Sequence, residues 1–420
     1  MAYTVLRARR LIDGINCDPI EYPLILVKDD KIVFSGEEDD IKLPSEYNEI
    51  LFENCTLLPG LIDAHIHLTL GTYGGYDKII RESDSVHLMA GMSNSYDALK
   101  AGITTLVDAG ARNMVAHDLR QGINMGLLQA SRLLICGRPL TITGGHFYFC
   151  NDNEADGVSK ISKRVRQFVK EGVDMIKIMA SGGGTANAGS LGGPKSSHVA
   201  FNPDELKAAV SEAHKFGRKT TAHCEAYDSI GNAARAGVDT IAHCGFILED
   251  GTRSFDVEAV KIMADKGLFY NPTLQTGSQR YDYLNDKINK GEKLSEKETT
   301  SLEGLEYKYN RKFENLKKIH EMGVKTVAGS DATGLGNSTR LFRSLEFMVD
   351  AGMSPMEVII SATGNAATSV DKHNEIGIVK EGLKADIIAV EGNPLINIET
   401  LRKNVLCMID GKIINNKLLN

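Results

Sequence analysis

Short, largely apolar runs of five or six residues occur at both ends of the chain, and runs of this length are typical of β-strands. These runs are residues 3–7, 23–28, 31–36, 386–390 and 404–409. Residues 29–30 and 410–411 have the sequences Asp-Asp and Asp-Gly, which suit tight hairpin turns. Because the ends of a chain often lie close together in space, residues 1–57 and 366–420 are predicted to form one small β-sandwich domain.

The middle of the chain has a different pattern, in which short, continuously apolar runs alternate with helical segments. The candidate strands are residues 61–64, 104–108, 133–136, 175–179, 219–222, 240–242, 268–270 and 325–328. Alternation of this kind is typical of βαβ units with a parallel sheet, and eight units are the number in a (β/α)₈ TIM barrel. We therefore predict an α/β fold with the barrel over residues 58–365. Residues 275–310, rich in Lys, Glu and Tyr, are predicted to be a helical insertion at its periphery.

Composition restricts the class of protein further. A net charge of −7 over 420 residues argues against a nucleic-acid surface, which needs a dominant basic patch. The sequence has no apolar run of about 18 residues and no long apolar segment at its start, so we expect neither a membrane span nor a signal peptide. Its seven cysteines have no framework spacing, which favours reduced thiols and a cytoplasmic location.

Side chains that can bind metals lie at the ends of the predicted strands. His65 and His67 end the first strand, and their one-residue gap puts both imidazoles on the same face. His223, His243 and Asp331 follow the fifth, sixth and eighth strands. The carboxyl ends of barrel strands surround one mouth, where active sites lie. The pattern therefore predicts a site for divalent metal.

Lys177 lies inside the apolar strand 175–179, where an uncompensated ammonium group would cost several kcal/mol to bury. A protonated lysine also cannot bind a metal. Both difficulties disappear if the amine has reacted with CO₂ to give a carbamate, whose two oxygens can bridge two cations. We therefore interpret Lys177 as a carboxylated lysine within the metal site.

These residues together resemble the amidohydrolase superfamily. The resemblance rests on Leu-Pro-Gly-Leu-Ile-Asp-Ala-His-Ile-His at 58–67, Lys177, His223, His243, Ser-Asp at 330–331 and Gly-Leu-Lys-Ala-Asp-Ile-Ile at 382–388. It spans nearly the whole chain. Within the superfamily the chain is most similar to the imidazolonepropionase-related group, which includes Xaa-Pro dipeptidases and carboxypeptidases as well as urea- and carbamate-cleaving enzymes. Imidazolonepropionase itself lacks the lysine, which argues against that activity here.

The resemblance implies a metal centre with two divalent cations, most simply Zn²⁺. The implied ligands are His65, His67 and Asp331 for one ion, His223 and His243 for the other, and carboxylated Lys177 as the bridge. A bridging hydroxide would attack a carbonyl carbon, and Asp331 would be the catalytic residue that moves the proton to the departing nitrogen. The expected partner is a small-molecule substrate, and the expected assembly is a homo-oligomer.

Five residues are candidates for substrate binding: His146, Tyr148, His198, Glu225 and Tyr227. Many peptidases of the group carry a tyrosine two residues after the fifth-strand histidine, and here that residue is Glu225. A carboxylate there would repel a dipeptide's C-terminus unless it were paired, so it favours neutral or cationic substrates. The remaining histidines are expected to be ordinary surface residues: His87, His117, His214, His320 and His373.

The leading hypothesis is hydrolysis of a C–N bond in an amide, dipeptide, N-acyl amino acid, urea or carbamate. A cyclic-amide hydrolase or a deaminase could use the same barrel, but the deaminases of the superfamily generally have one metal and no bridging lysine. A non-catalytic scaffold should have lost one or more ligands, and this chain keeps all six. A structural zinc site of His223 and His243 with the cysteines that follow them is a weaker alternative, because no pair of cysteines has the usual spacing.

Overall fold

The computed structural model describes residues 3–71, 76–186 and 193–416. The chain begins with five strands: β1 (Tyr3–Leu11), β2 (Ile20–Glu21), β3 (Leu24–Lys28), β4 (Lys31–Gly36) and β5 (Asn48–Pro59). Strands β3 and β4 form the expected hairpin, in which Lys28 lies opposite Lys31. Asp29 turns the chain with a left-handed φ of 54°, a conformation that aspartate tolerates better than most residues.

The eight strands predicted for the middle of the chain are all present. They are β6 (Leu61–Ile66), β7 (Ile103–Asp108), β8 (Arg132–Ile135), β9 (Met175–Met179), β10 (Lys219–Ala226), β11 (Thr240–Ile247), β12 (Phe269–Asn271) and β13 (Lys325–Thr326). Neighbouring strands are parallel and follow chain order within two sheets, β6 to β8 and β9 to β13. Their residues are buried almost throughout, as parallel strands covered by helices require.

Backbone hydrogen bonds connect the two parallel sheets at both of their edges. On one side, Leu140 N donates to Lys177 O over 2.8 Å, and Met179 N donates to Leu140 O over 2.9 Å. On the other side, Ala64 N donates to Ala328 O over 3.0 Å. The first and last strands therefore lie side by side, and the cavity described below opens at the carboxyl ends of strands from both sheets.

Helices follow most of these strands. They are α1 (Tyr76–Arg81), α2 (Asp84–Lys100), α3 (Val115–Asn124), α4 (Val158–Lys170), α5 (Pro203–Lys215), α6 (Tyr227–Ala236), α7 (Val257–Asp265), α8 (Ser278–Asn289), α9 (Glu296–Glu321), α10 (Leu341–Asp350), α11 (Pro355–Ser361) and α12 (Gly364–Ser369). None of the helices that the structure describes combines the length and the apolar character needed to cross a membrane.

The insertion at 275–310 is helical, as predicted, but it is not peripheral. Its second helix, α9, begins at a capping box in which Ser295 and Glu298 satisfy each other's backbone N–H groups. Tyr309 of this helix is buried, and its ring lies 5.1 Å from that of Phe347 on α10. The prediction of a peripheral insertion was wrong because one face of α9 packs against the core. Another face of α9 lines a cavity at the carboxyl ends of the parallel strands.

The chain ends with β14 (Ile387–Glu391), β15 (Asn404–Ile409) and β16 (Lys412–Asn416). These strands join the N-terminal ones in a single sheet, in the order β16-β15-β14-β5-β1-β3-β4 with β2 beside β1. Strand β14 pairs antiparallel with β5, so the two ends of the chain meet at this point. The hydrogen bonding follows one continuous path, which differs from the two separate sheets of the expected sandwich.

Arg132 at the start of β8 connects the parallel strands to the terminal sheet. Its guanidinium group binds the carboxylate of Asp386, whose side chain is 3% exposed, and that of Asp410 over 2.7 Å. Asp410 also accepts a hydrogen bond from Lys384 Nζ over 2.6 Å. The packing of the terminal sheet thus includes a network of charges in which the carboxylate of Asp386 is almost fully buried.

Replacing Arg132 with alanine would leave the buried carboxylate of Asp386 without its cation. We expect the free energy of unfolding to fall by about 3 kcal/mol, because the lost partner leaves a desolvated charge. Lys290→Ala, which removes an exposed pair with Asp286 on α8, is the control and should cost little. Urea denaturation of both variants tests this, and equal midpoints for the two would contradict the role of Arg132.

A candidate metal centre in the active-site pocket

A cavity of about 410 Å³ opens at the carboxyl ends of the parallel strands. Five elements bring the predicted metal-binding side chains into its wall: β6 and the residue after it, β9, β10, β11 and the segment that follows β13. The structure brings all six residues together in this cavity: His65, His67, Lys177, His223, His243 and Asp331. Their chain separation is large, so only the parallel arrangement of the strands makes them neighbours.

His65, His67 and Asp331 form the tightest group. The Oδ1 atom of Asp331 lies 3.5 Å from His65 Nε2 and 3.3 Å from His67 Nε2. One ligand atom from each residue falls within 4.8 Å of the others. Two imidazoles and a carboxylate at such spacing fit the donor set of a divalent transition metal.

Lys177 lies directly beside this group. Its Nζ atom is 3.0 Å from His65 Nε2, the residue is 1% exposed, and no carboxylate of the described residues pairs with it within 4.0 Å. Burial lowers the pKa of Lys177 to about 8, with Asp331 opposing the shift. An amine in this environment loses its proton far more readily than a surface lysine does. The deprotonated amine is the form that reacts with CO₂.

His223 and His243 extend the cluster on its other side. Their ring centroids are 4.6 Å apart, and the ring of His243 lies 5.5 Å from that of His65. His146 continues the row, with its ring 4.5 Å from that of His223. The imidazoles are therefore contiguous, and they offer a second set of nitrogen donors next to the first.

Hydrogen bonds from the far side of two rings fix their orientation. His67 Nδ1 lies 3.0 Å from the carbonyl oxygen of Gly110, which can only accept, so Nδ1 carries the proton. His243 Nδ1 lies 2.7 Å from the hydroxyl of Thr273. The protonated Nδ1 of His67 leaves its Nε2 with a free lone pair facing Asp331, as metal-binding histidines require.

Burial favours the neutral form of His223 and His243. It lowers the pKa of His223 to about 4, helped by the nearby Lys177, and it holds the pKa of His243 well below its usual value. Burial alone would raise the pKa of Asp331, but its interactions with His67, His65 and His243 hold that pKa well below its usual range. The site thus combines neutral nitrogen donors with an ionised carboxylate at neutral pH, which is the state that binds a cation.

Backbone geometry places two of these residues. His243 and Asp331 have left-handed φ values of 69° and 51°, which cost about 1–2 kcal/mol each in residues with a side chain. Asp331 N donates to His65 O over 2.6 Å, which fixes the end of the last strand against the first. The buried carboxylate of Asp63 accepts from the backbone N–H groups of His65 and Ser330 over 3.1 and 3.0 Å. Sequence reasoning treated Asp63 only as part of a motif and missed this role.

The predicted substrate-binding residues divide into two groups. His146 and Glu225 line the cavity. Tyr148, Tyr227 and His198 are not among its described lining residues: Tyr148 packs against Phe149, Tyr227 begins α6 against the core, and His198 is exposed.

Phe147 and Phe149 line the cavity on either side of Tyr148. Phe147 has a left-handed φ of 64°, an uncommon conformation for an aromatic residue, and this turn decides which rings face the cavity.

The prediction that His87 and His117 are surface residues was wrong. His87 is fully buried, with ring nitrogens 3.0 Å from the carbonyl oxygens of Thr69 and Ile79, and His117 is 9% exposed.

Sequence reasoning also missed a group of polar residues in the cavity wall. They are Arg253, Lys308, Arg311, Lys312 and Asn315, of which all but the first belong to α9. The charged residues of α9 are spaced as in a solvent-exposed helix. Nothing in this spacing indicates that the helix faces a cavity.

Residues 56–414 match the model of the amidohydrolase family. The chain belongs to this family. An ochratoxinase of Aspergillus niger is 28% identical to it, over 95% of this chain and 83% of the relative. An imidazolonepropionase of Thermoanaerobacter pseudethanolicus is 22% identical, over 90% of this chain and 85% of that protein. A solved Xaa-Pro dipeptidase with bound methionine has 26% identity and a TM-score of 0.81, covering 99% of this chain and all of that one. The amidohydrolase described here is therefore a hydrolase of C–N bonds.

The neutral state of His223 predicts a pH dependence of stability for this amidohydrolase when metal is removed. The unfolded state takes up a proton near pH 6.5 and the folded state only near pH 4, so stability is lost as the pH falls between these values. This residue contributes a loss of up to about 3 kcal/mol. Urea unfolding of EDTA-treated protein between pH 7.5 and 4.5 measures it. His223→Gln should show a shallower dependence, and parallel curves would contradict the assignment.

Proposed function

We propose that this amidohydrolase cleaves an amide-type C–N bond with a centre of two divalent metal ions. The substrate classes are amides, dipeptides, N-acyl amino acids, ureas and carbamates. The observation that carries the proposal is the group of His65, His67 and Asp331 within 4.8 Å of one another, beside the buried amine of Lys177. Neutral imidazoles and a buried lysine without a carboxylate partner have no evident structural use together, whereas a metal centre uses all of them.

The residues divide between the two ions as their positions suggest. His65, His67 and Asp331 would hold one ion, and His223 with His243 would hold the other. Zn²⁺ is the metal that we propose, because nitrogen donors with one carboxylate suit it. Such ions supply a nucleophilic water that is deprotonated near neutral pH, and they polarise the substrate carbonyl.

Lys177 would bridge the two ions as a carbamate. Its free amine adds to the carbon of CO₂ and loses one proton, which turns a buried cation into a carboxylate-like group. Burial favours the free amine that this reaction needs, as the lowered pKa of Lys177 indicates. The carbamate would also supply negative charge to a cavity that must hold two cations.

Asp331 would act as the proton-transfer residue as well as a ligand. Its Oδ2 atom lies 3.3 Å from the hydroxyl of Thr276, on the side away from the two histidines that Oδ1 contacts. One oxygen is thus directed to the metal group and the other to the cavity. The second can take a proton from the attacking water and deliver it to the departing nitrogen.

The same proposal extends to the closure of the barrel, the domain boundaries, the cellular location and the oligomeric state. The eight parallel strands would close as a (β/α)₈ barrel over residues 58–365, with the small domain built from 1–57 and 366–420. The cysteines of the described structure are all free, which supports the cytoplasmic location that we propose. We also propose a homo-oligomer that acts on a small molecule.

Cyclic-amide hydrolysis is the second candidate, because it uses the same donors and differs only in the shape of the substrate. Deamination is less well supported, since Lys177 would then have no role. A non-catalytic scaffold is opposed by the retention of all six donors in one cavity.

Removing Lys177 tests the metal centre. Protein prepared with excess zinc and bicarbonate should contain about two metal ions per chain. In Lys177→Ala the content should fall to about one or less, and hydrolysis of amides should be lost. Lys317→Ala, which removes an exposed lysine of α9, is the matched control and should keep both ions. Tight binding of two ions with full activity in Lys177→Ala would refute the carbamate bridge.

Replacing Asp331 with asparagine separates binding from proton transfer. An amide oxygen can still bind a cation, but it cannot accept the proton. We expect kcat on an amide to fall by about 10²- to 10⁴-fold without rescue by added metal, while metal content stays near that of the wild type. Activated esters, whose leaving groups need no proton, should suffer less. An unchanged kcat on the amide would leave Asp331 a ligand only.

A further inference from the structure

One face of α9 lines the cavity with positive charge. Lys308, Arg311, Lys312 and Asn315 all contribute to the cavity wall, and their spacing of three, four and seven residues puts them on one side of a helix. Arg253, from the loop after β11, joins them at the mouth. This arrangement is built by the fold, since Tyr309 on the same helix is buried in the core.

Most of these cations lack a counter-ion within the protein. No carboxylate of the described residues lies within 4.0 Å of the charged atoms of Lys308, Lys312 or Arg253. Arg311 has the carboxylate of Glu314 at 3.8 Å, and it also donates to Arg253 O over 3.3 Å. The contacts that they make are with backbone carbonyls: Lys308 Nζ donates to Thr276 O over 3.4 Å. Cations that are partly withdrawn from water usually have an anionic partner.

The carboxylate of Glu225, which also lines the cavity, does not balance this charge. Outside the metal-binding residues it is the one acidic side chain among the described residues of the cavity wall, against four cations. It packs against Gly245, where a Cβ atom would overlap its carboxylate. The expectation that Glu225 favours neutral or cationic substrates considered this carboxylate alone, whereas the four cations of the same cavity wall favour an anionic group.

The environment of Lys312 indicates the same excess. Burial and the neighbouring Lys308 lower the pKa of Lys312 to about 8, although Glu225 and Asp331 act against the shift. The positive group and the metal centre thus share one cavity and are close enough for their charges to interact. A ligand that occupies the cavity can reach both.

We propose that Lys308, Lys312 and Arg253 form a subsite for the carboxylate of the substrate, while the scissile carbonyl lies at the metal centre. This inference rests on the proposed function and narrows its substrate class to amides of amino acids, namely N-acyl amino acids and dipeptides. In these molecules the carboxylate is one carbon away from the scissile nitrogen, so one cavity must hold both groups. Uncharged ureas and carbamates would leave the cations unpaired.

Turnover of matched substrates is the first test. A panel of N-acetyl amino acids and their C-terminal amides is offered to the zinc-loaded protein, and the best acid should exceed its amide in kcat/KM by about 10-fold or more. In the double variant Lys308→Met/Lys312→Met, KM for the acid should rise by about 10-fold or more while KM for the amide stays constant. The control, Lys317→Met, removes a charge of the same helix outside the cavity and should change neither. Equal losses on acid and amide would overturn the subsite.

Binding without turnover separates the subsite from the proposed function. Calorimetry with zinc-loaded protein and 4-methylpentanoate should give a Kd that weakens by about 10-fold in the double variant and also rises with added salt. Glu225→Gln removes a negative charge that would repel the carboxylate of 4-methylpentanoate, so it should lower the Kd. The test therefore does not depend on the double variant alone. An unchanged Kd in all of them would overturn the subsite whether or not the protein cleaves amides. Absence of amide hydrolysis together with the expected changes in Kd would reject the proposed function and keep the anion site.

Discussion

The contact between the first and the last parallel strand holds the candidate site together. Asp63 accepts hydrogen bonds from the backbone of His65 and Ser330, and the N–H group of Asp331 donates to the carbonyl of His65. The two bonds made by Ser330 and Asp331 join residues that are more than 260 positions apart in the chain. They place the carboxylate of Asp331, which follows the last strand, beside the imidazoles of His65 and His67. Without this contact the candidate metal-binding group of His65, His67 and Asp331 would not form. The same contact compensates the left-handed backbone of Asp331.

The second constraint is the effect of burial on the charges of the side chains that line the cavity. Withdrawing His223 and Lys177 from water lowers their pKa values to about 4 and about 8. His223 is therefore neutral at neutral pH, and Lys177 loses its proton more readily than a surface lysine does. Neutral donors of this kind are stabilised when a cation arrives, so the apoprotein and the metal form would differ in stability as well as in activity. Further out, the cavity changes character, because Lys308 and Lys312 remain cationic with no carboxylate beside them.

Much of this could be predicted from the sequence because it depends on local pattern. The parallel strands are apolar runs bounded by helical segments, and the spacing of His65 and His67 puts them on one face in any strand. The position of Lys177 in a buried strand marked it by its energetic cost alone. These features depend on the strands alone and do not depend on the conformations of the loops.

The rest depends on how distant segments pack, which no local pattern encodes. A left-handed turn at Phe147 brings the rings on either side of Tyr148 to the cavity. The lysines of α9 have the spacing of a solvated helix, and only the burial of Tyr309 against α10 turns them toward the mouth. Glu225 considered alone therefore favours a different substrate charge from the one that the neighbouring cations favour.

Anomalous diffraction at the zinc edge, from crystals grown with zinc and bicarbonate, tests the central claim most directly. We expect two peaks, one against His65 and His67 and the other against His223 and His243, with density for a carbamate on Lys177 between them. A single peak, or a free amine at Lys177 with no ion beside it, would contradict the account.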